Sequence, residues 1–223
     1  MAKQTKPRPA RRVPLSKERV LRAAIKLADE GGVEALSMRK LADVLGVKAM
    51  SLYNHVANKD DVLDGIVDAA WAEILPPTGD EDWKTAVRDI AISAHEMMMS
   101  HPWASDLSVR KPGLARLRYG DSLLGCFRNA GFSKDLTYHA YHIIESYIMG
   151  YTLQVLSFRA VDTQQFEDIA AGFRRGDFSA DYPHFTEHAL QHMEPEPGHD
   201  EVSGYELGLD LILDSLERLR DTA

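Results

Sequence analysis

Residues Leu36 to Lys59 read LSMRKLADVLGVKAMSLYNHVANK. Ser37 is a good helix N-cap, because its hydroxyl oxygen can accept from a free N–H in the first turn. Met38, Leu41, Ala42 and Leu45 then follow at helical spacing. Gly46 stands where the chain must leave the helix in a left-handed conformation, which glycine does at least cost. A second short helix is expected from about Lys48 to Val56. Its apolar face is narrow, mainly Leu52 and Val56, and its other face shows Met50, Ser51, Tyr53 and Asn54. Two short helices joined by a tight turn containing glycine make a helix-turn-helix. An ordinary helical hairpin would give Met50, Tyr53 and Asn54 a packing reason, and none is visible.

The charge supports that reading once it is divided. The net charge of −8 is wrong for a polyanion binder taken whole. Residues 1–59 hold 13 Lys+Arg against 5 Asp+Glu, and residues 60–223 hold 13 against 29. A basic module suits phosphate contact, and an acidic remainder keeps off it. The single cysteine, Cys126, excludes a disulfide framework within one chain, fits a reducing cytosol and reads as a small core residue. No stretch approaches the ~20 apolar residues of a membrane span. The basic N-terminus leads into polar sequence, so no export signal is expected.

Outward from this segment, the chain reads as all-α. Residues 1–15 carry Lys3, Lys6, Arg8, Arg11 and Arg12 among prolines and read as a disordered basic arm. A first helix runs from Ser16 to Gly31-Gly32, with Val20, Ala24, Leu27 and Ala28 inward. Asn58 caps a fourth helix to about Leu75, with Asp60 and Asp61 in its first turn, where negative charge is favoured. Pro76-Pro77-Thr78-Gly79-Asp80 is a break. The domains expected are therefore 16–75 and 81–223. In the second, helices are expected from Trp83 to Ser100, from Pro112 to Gly131, from Ser133 to Phe158, from Asp162 to Arg175, over 183–193, and from Val202 to Leu219. Apolar residues on the Ser133 and Val202 helices spread wider than one buried stripe, which predicts a homodimer through both. Ile148 and Leu213 are read as outward positions on them, and Gly150 as a place where a partner helix approaches closely.

The motifs of catalysis are absent: there is no GxSxG, GxxxxGK[ST], HExxH or CxxC. The expectation is a binding protein with no cofactor and no metal, not an enzyme. One rival reading is a metal-responsive sensor or metal-dependent enzyme built on His184, His188 and His192 at i, i+4 and i+8, aided by His139 or His142. Another is a helical interaction module that has lost DNA binding.

Arg39-Lys40-Leu41-Ala42, Leu45-Gly46-Val47, Ser51-Leu52-Tyr53-Asn54-His55-Val56 and Asn58-Lys59 together resemble the DNA-binding domain of the TetR family of bacterial transcriptional regulators. The resemblance covers about the first third of the chain. More loosely, Tyr205 to Asp214 resembles the last helix of the subfamily that contains the tetracycline repressor. The resemblance implies a cytoplasmic homodimeric repressor, released from a palindromic double-stranded DNA operator by a small-molecule inducer bound in the C-terminal domain. It implies that Lys40, Lys48, Lys59 and the arm position the protein on phosphates, with Ser37, Tyr53 and His55 as hydrogen-bond donors. Arg39, Ala49, Met50, Ser51 and Asn54 would read bases. Ala49 and Met50 offer only apolar contact, so the operator of the tetracycline repressor does not carry over. Met97, Trp103, Arg118, Phe127, His142, Glu145 and Tyr147 are the candidate ligand residues, because apolar and aromatic walls with a few polar groups make a ligand pocket.

Overall fold

Val20, Ala24, Leu27 and Ala28 recur at helical spacing, and helix α1 (Lys17–Gly31) buries these four. The structure, a computed structural model, describes residues 14–107, 110–193 and 201–222, without the side chains of 192, 193 and 201–203. Most of the basic arm and the Pro195–Gly198 loop lie outside the described residues. After a 3-10 turn, α2 (Met38–Leu45) is capped by Ser37, whose hydroxyl accepts from the Lys40 N–H at 3.2 Å. Gly46 closes it at φ 65° and ψ 36°, the left-handed conformation. Helix α3 (Ala49–Leu52) is shorter than the sequence reading. The His55 and Val56 amides both turn back to the Leu52 carbonyl, at 2.8 and 3.0 Å, and this tight turn drives Val56 into the core.

Helix α4 (Lys59–Trp71) starts on a reciprocal cap. Asn58 accepts from the Asp61 N–H at 2.8 Å, and Asp61 reaches back to the Ala57 N–H at 2.9 Å. The helix ends four residues before Leu75, and turns carry Ile74 into the core. Helices α5 (Trp83–Ser100), α6 (Trp103–Asp106), α7 (Leu114–Asn129), α8 (Lys134–Arg159) and α11 (Glu201–Thr222) form the second core; α9 (Thr163–Arg175) pairs with α10 (Pro183–Met193). No strand occurs among the described residues.

The sequence reading missed α6, one helical turn with Trp103 and Ala104 buried. It also started α7 at Pro112, whereas the helix opens after Gly113. The reason is tertiary. Gly113 brings no side-chain cap, and Asp68 of α4 supplies one instead, accepting from the Ala115 N–H at 2.8 Å. A Cβ on Gly113 would lie 2.1 Å from that carboxylate oxygen and 2.8 Å from the Asp68 Cβ, so only glycine allows the approach.

Two glycines do the same for the last helix. A Cβ on Gly208 would sit 2.2 Å from the Tyr147 hydroxyl oxygen, and one on Gly204 would sit 2.9 Å from that of Tyr151. Tyr205 between them is 1% exposed and donates to the Ala91 carbonyl at 2.9 Å, while Tyr147 donates to the Tyr205 carbonyl at 2.8 Å. On the outer side, Lys84 meets Asp214 and Glu217 while Arg88 meets Asp210 and Glu206, which sets the register of α11 on α5. Each exposed pair is worth little, but the four-point match selects one alignment.

Ile148 and Leu213, expected outward, are buried within the chain at 3% and 2% exposure. The outward apolar residues include Ile143 and Leu153 on α8 and Leu207 and Leu211 on α11. Cys126 is half-buried against the core, and burial pushes its thiol pKa up.

Substituting Gly113 by alanine forces Asp68 off the α7 terminus, and the overpacking costs about 1–3 kcal/mol in denaturant unfolding. Gly79→Ala is not a control, because Gly79 has positive φ; Gly125→Ala, with open space around it, is. A second expectation concerns His95, which stacks on Tyr205 at 4.3 Å. The Thr152 hydroxyl donates to the Ile148 carbonyl, so the His95 Nδ1–H donates to Thr152, at 2.7 Å. Burial, then the charge of Arg159, holds the His95 pKa below 6.5. A folded-state pKa below the unfolded one gives stability that is present above about pH 6.5 and lost as pH falls through the folded value. Thermal melts between pH 7.5 and 5 should show a loss in the unmodified chain that is smaller in His95→Gln; equal losses refute the assignment.

Candidate nucleic-acid interface and ligand cavity

Leu52 and Val56 are buried beneath α3, at 0% and 2% exposure, and this rotation fixes what the helix presents. Met50 stands 74% exposed and Tyr53 46% exposed, with Ala49 and Asn54 also exposed and Ser51 and His55 half-buried. Arg39 and Lys40 on α2, Lys48 in the turn and Lys59 at the start of α4 are exposed around it. None of these four cations has an ion-pair partner among the described residues. Ser37 spends its oxygen on the α2 cap and keeps its O–H.

The carboxylates nearest Lys59 are neutralised. Asp61 pairs with Lys17 at 3.1 Å, and its pKa is lowered by the Ala57 N–H first and by Lys17 next. Arg110, from the segment before α7, holds Asp64 at 2.5 Å and Asp60 at 3.2 Å. Three acids that would repel a polyanion are therefore covered, partly by the second domain.

The two halves meet at a buried imidazole. His101 ends α5 and is 8% exposed. Its Nδ1 lies 2.7 Å from Asp29 of α1, and its Nε2 lies 3.2 Å from Glu73, just past α4. The Trp103 indole N–H donates to the same Asp29 oxygen at 2.6 Å. Sequence reasoning took His101-Pro102 only as a helix end. The partners stand 72 and 28 residues away, so no local pattern pointed to them.

A cavity of about 200 Å³ opens between α4, α5 and α7. Its walls include Trp71, Ile74, Leu75 and Ile90, with Arg118, Tyr119 and Ser122 as polar groups. Of the seven sequence candidates only Arg118 lines it. Glu145 stands one layer behind: Tyr119 donates to its carboxylate, whose pKa burial raises, while the Tyr119 hydrogen bond and the charges of Arg116 and His142 pull it down. Met97 and Phe127 are core residues, Phe127 packed against Trp83 and Phe132. Trp103 belongs to the Asp29 cluster, Tyr147 to the α8–α11 contact, and His142 is exposed beside Tyr138. Sequence reasoning did not select Trp71, Ile74 or Ser122, because helical periodicity cannot separate a cavity wall from a packed core.

Among the described residues, no three His, Cys, Asp or Glu side chains come together to hold a metal ion, and the His192 side chain lies outside them. No described helix is long and apolar enough to cross a membrane.

Residues 20–72 match the family of bacterial regulatory proteins named tetR, and residues 75–220 match the tetracyclin repressor-like C-terminal domain. An HTH-type transcriptional regulator of Saccharopolyspora erythraea is 31% identical over 202 residues, spanning 89% of this chain and 83% of that one. A class A tetracycline repressor protein of Escherichia coli is 30% identical over 206 residues, spanning 90% of each chain. Among solved structures, a TetR transcriptional regulator from Streptomyces coelicolor superposes with a TM-score of 0.74 at 26% identity, over 93% of this chain and 100% of that chain.

Asp29→Ala leaves the buried His101 ring and the Trp103 N–H without their acceptor, at a cost of about 1–3 kcal/mol. The loss should be local: amide exchange should quicken in α1 and α6 before it does in α8 and α11. Uniform acceleration across all four helices would mean that the cluster does not tie the two halves together.

Proposed function

The chain belongs to the tetR family of bacterial regulatory proteins, ligand-responsive DNA-binding repressors, and we propose that it acts as a homodimer released from a palindromic operator by a small molecule in the α4–α5–α7 cavity. The observation that carries this reading is the α3 face: an exposed Met50 and Tyr53 over a buried Leu52, ringed by Arg39, Lys40, Lys48 and Lys59 without ion-pair partners among the described residues. Cations left unpaired on one face are available to phosphates, and release of counterions from DNA then drives binding.

In this reading residues 16–75 form the reading head and residues 81–223 the ligand-binding and dimerising domain, with residues 1–15 as an arm along the DNA. Lys40, Lys48 and Lys59 hold phosphates, with Ser37, Tyr53 and His55 donating hydrogen bonds. Arg39, Ala49, Met50, Ser51 and Asn54 face base edges, Met50 making apolar contact such as with a thymine methyl. Nothing in this cycle calls for a catalytic step, a metal or a cofactor, and the operator places the protein in the cytoplasm. One head reads too few base pairs to single out a site among ~10⁶ or more competitors, which is the physical reason for a dimer. Ile143, Leu153, Leu207 and Leu211 leave apolar surface on α8 and α11 that a second copy would cover, and the space around Gly150 is open. A ligand then acts by binding better to the arrangement in which the two heads no longer match the operator spacing.

Selection of bound fragments from genomic DNA gives the operator on which this is tested. On it, Lys59→Ala should weaken binding to every sequence and lower the salt slope by about one ion. Met50→Ala should instead alter base preference, by about 1–3 kcal/mol at the contacted pair. Leu211→Glu, charged on the outward face of α11, should give a monomer in sedimentation and abolish operator binding together. A monomeric unmodified protein that still binds its operator with nanomolar affinity refutes the dimer.

A further inference from the structure

Two residues that line the α4–α5–α7 cavity carry donors with no partner among the described residues: Trp71, which is buried, and Arg118, which is exposed. The Trp71 indole N–H is buried with no acceptor among the described residues, although the Trp71 ring meets Tyr119 in a T-shaped contact at 4.9 Å and the Arg116 guanidinium over its face at 5.1 Å. Buried polar groups are nearly always paired, so an orphaned donor in a cavity wall marks the place of a missing acceptor. Arg118, in the same wall, has no hydrogen-bond or ion-pair partner among the described residues. The part-buried carboxylate of Glu145 is engaged by the Tyr119 hydroxyl and by the charge of Arg116, and does not line the cavity. Tyr119 has committed its proton to that bond. The cavity therefore offers one cation, one orphaned N–H and the Ser122 hydroxyl, and no free negative charge.

We infer that the inducer is an aromatic carboxylate of about one ring, bearing a second oxygen acceptor. The anionic group meets Arg118, the second oxygen accepts from the Trp71 N–H, and the ring lies among Trp71, Ile74 and Ile90. The volume of about 200 Å³ is below that of most drug-sized sites and matches a small ring system. The guanidinium favours a planar carboxylate because two parallel N–H groups match its two oxygens. A neighbouring groove shares Leu75, Pro76 and Ile90 with this cavity but carries Asp89 and Glu96, so a cationic ligand would be drawn there instead.

This rests on the cavity being the inducer site, and a matched series separates the two claims. Salicylate, salicylamide and 2-hydroxybenzylamine share ring and hydroxyl and differ in charge. Calorimetry on the full-length protein should show salicylate binding at least about tenfold more tightly than salicylamide, the size of one charge-assisted hydrogen bond, and the amine more weakly still. Arg118→Gln should remove the preference for the acid. Trp71→Phe, which keeps the wall and deletes the N–H, should weaken salicylate and salicylamide alike. Circular dichroism confirms that each variant is folded. Equal or tighter binding of the amide or the amine overturns the inference, as does no binding by any of the three, or an Arg118→Gln variant that keeps the preference. Ser122→Phe fills the cavity from a half-buried position on α7. Compounds that still bind this variant occupy another place, and then the cavity itself is not the inducer site.

Discussion

Helix α4 has to pack against both halves of the molecule at once, and the rest of the molecule follows from that constraint. It packs on α1 in the reading head and on α5 and α7 beyond it. Its buried residues, from Val62 to Trp71, belong to one continuous apolar cluster that runs from Val20 of α1 to Leu216 of α11. A helix gripped on two sides cannot shift against one without being felt by the other, because close-packed interiors move between discrete arrangements and do not deform smoothly.

Polar contacts then place each end of α4. Asn58 and Asp61 close its start, where Lys17 and Arg110 cover the acids of the first two turns. Asp68, midway, caps α7. Trp71, at its end, forms part of the cavity wall, and Glu73 just beyond holds one side of the His101 ring. The same helix thus carries one phosphate candidate, Lys59, the α7 cap, and the cavity wall within about four turns. A ligand that rearranges Trp71 acts on the element that bears Lys59, and Asp29–His101 offers a second route into α1.

Much of this was legible in the residues. The inward set of α1, the caps Ser37 and Asn58, and the left-handed Gly46 all came from short-range rules, and the structure has each of them. The limits of α3, α4 and α7 were misjudged: a local turn onto the Leu52 carbonyl ends α3 early, α4 stops at Trp71, and a tertiary partner, Asp68, starts α7. The Asp29–His101–Glu73 cluster left no trace in the sequence, because its members are far apart and each is an ordinary residue in its own segment. The outward faces of α8 and α11 were assigned too broadly, because in a helix with apolar residues all round only packing decides which side is inside.

What the sequence determined by itself is the local and the periodic: helices, their caps, the turn between α2 and α3, and a basic first segment with the α3 residues that face outward. Those depend on backbone preference and on hydrophobic spacing within one or two turns. Tertiary structure alone decided that Arg118 and Trp71, 47 positions apart, share one cavity with their donors unpaired among the described residues, and that Ile148 and Leu213 face inward. Those facts arise where side chains from distant segments compete for the same space, and no property of either segment alone contains the outcome.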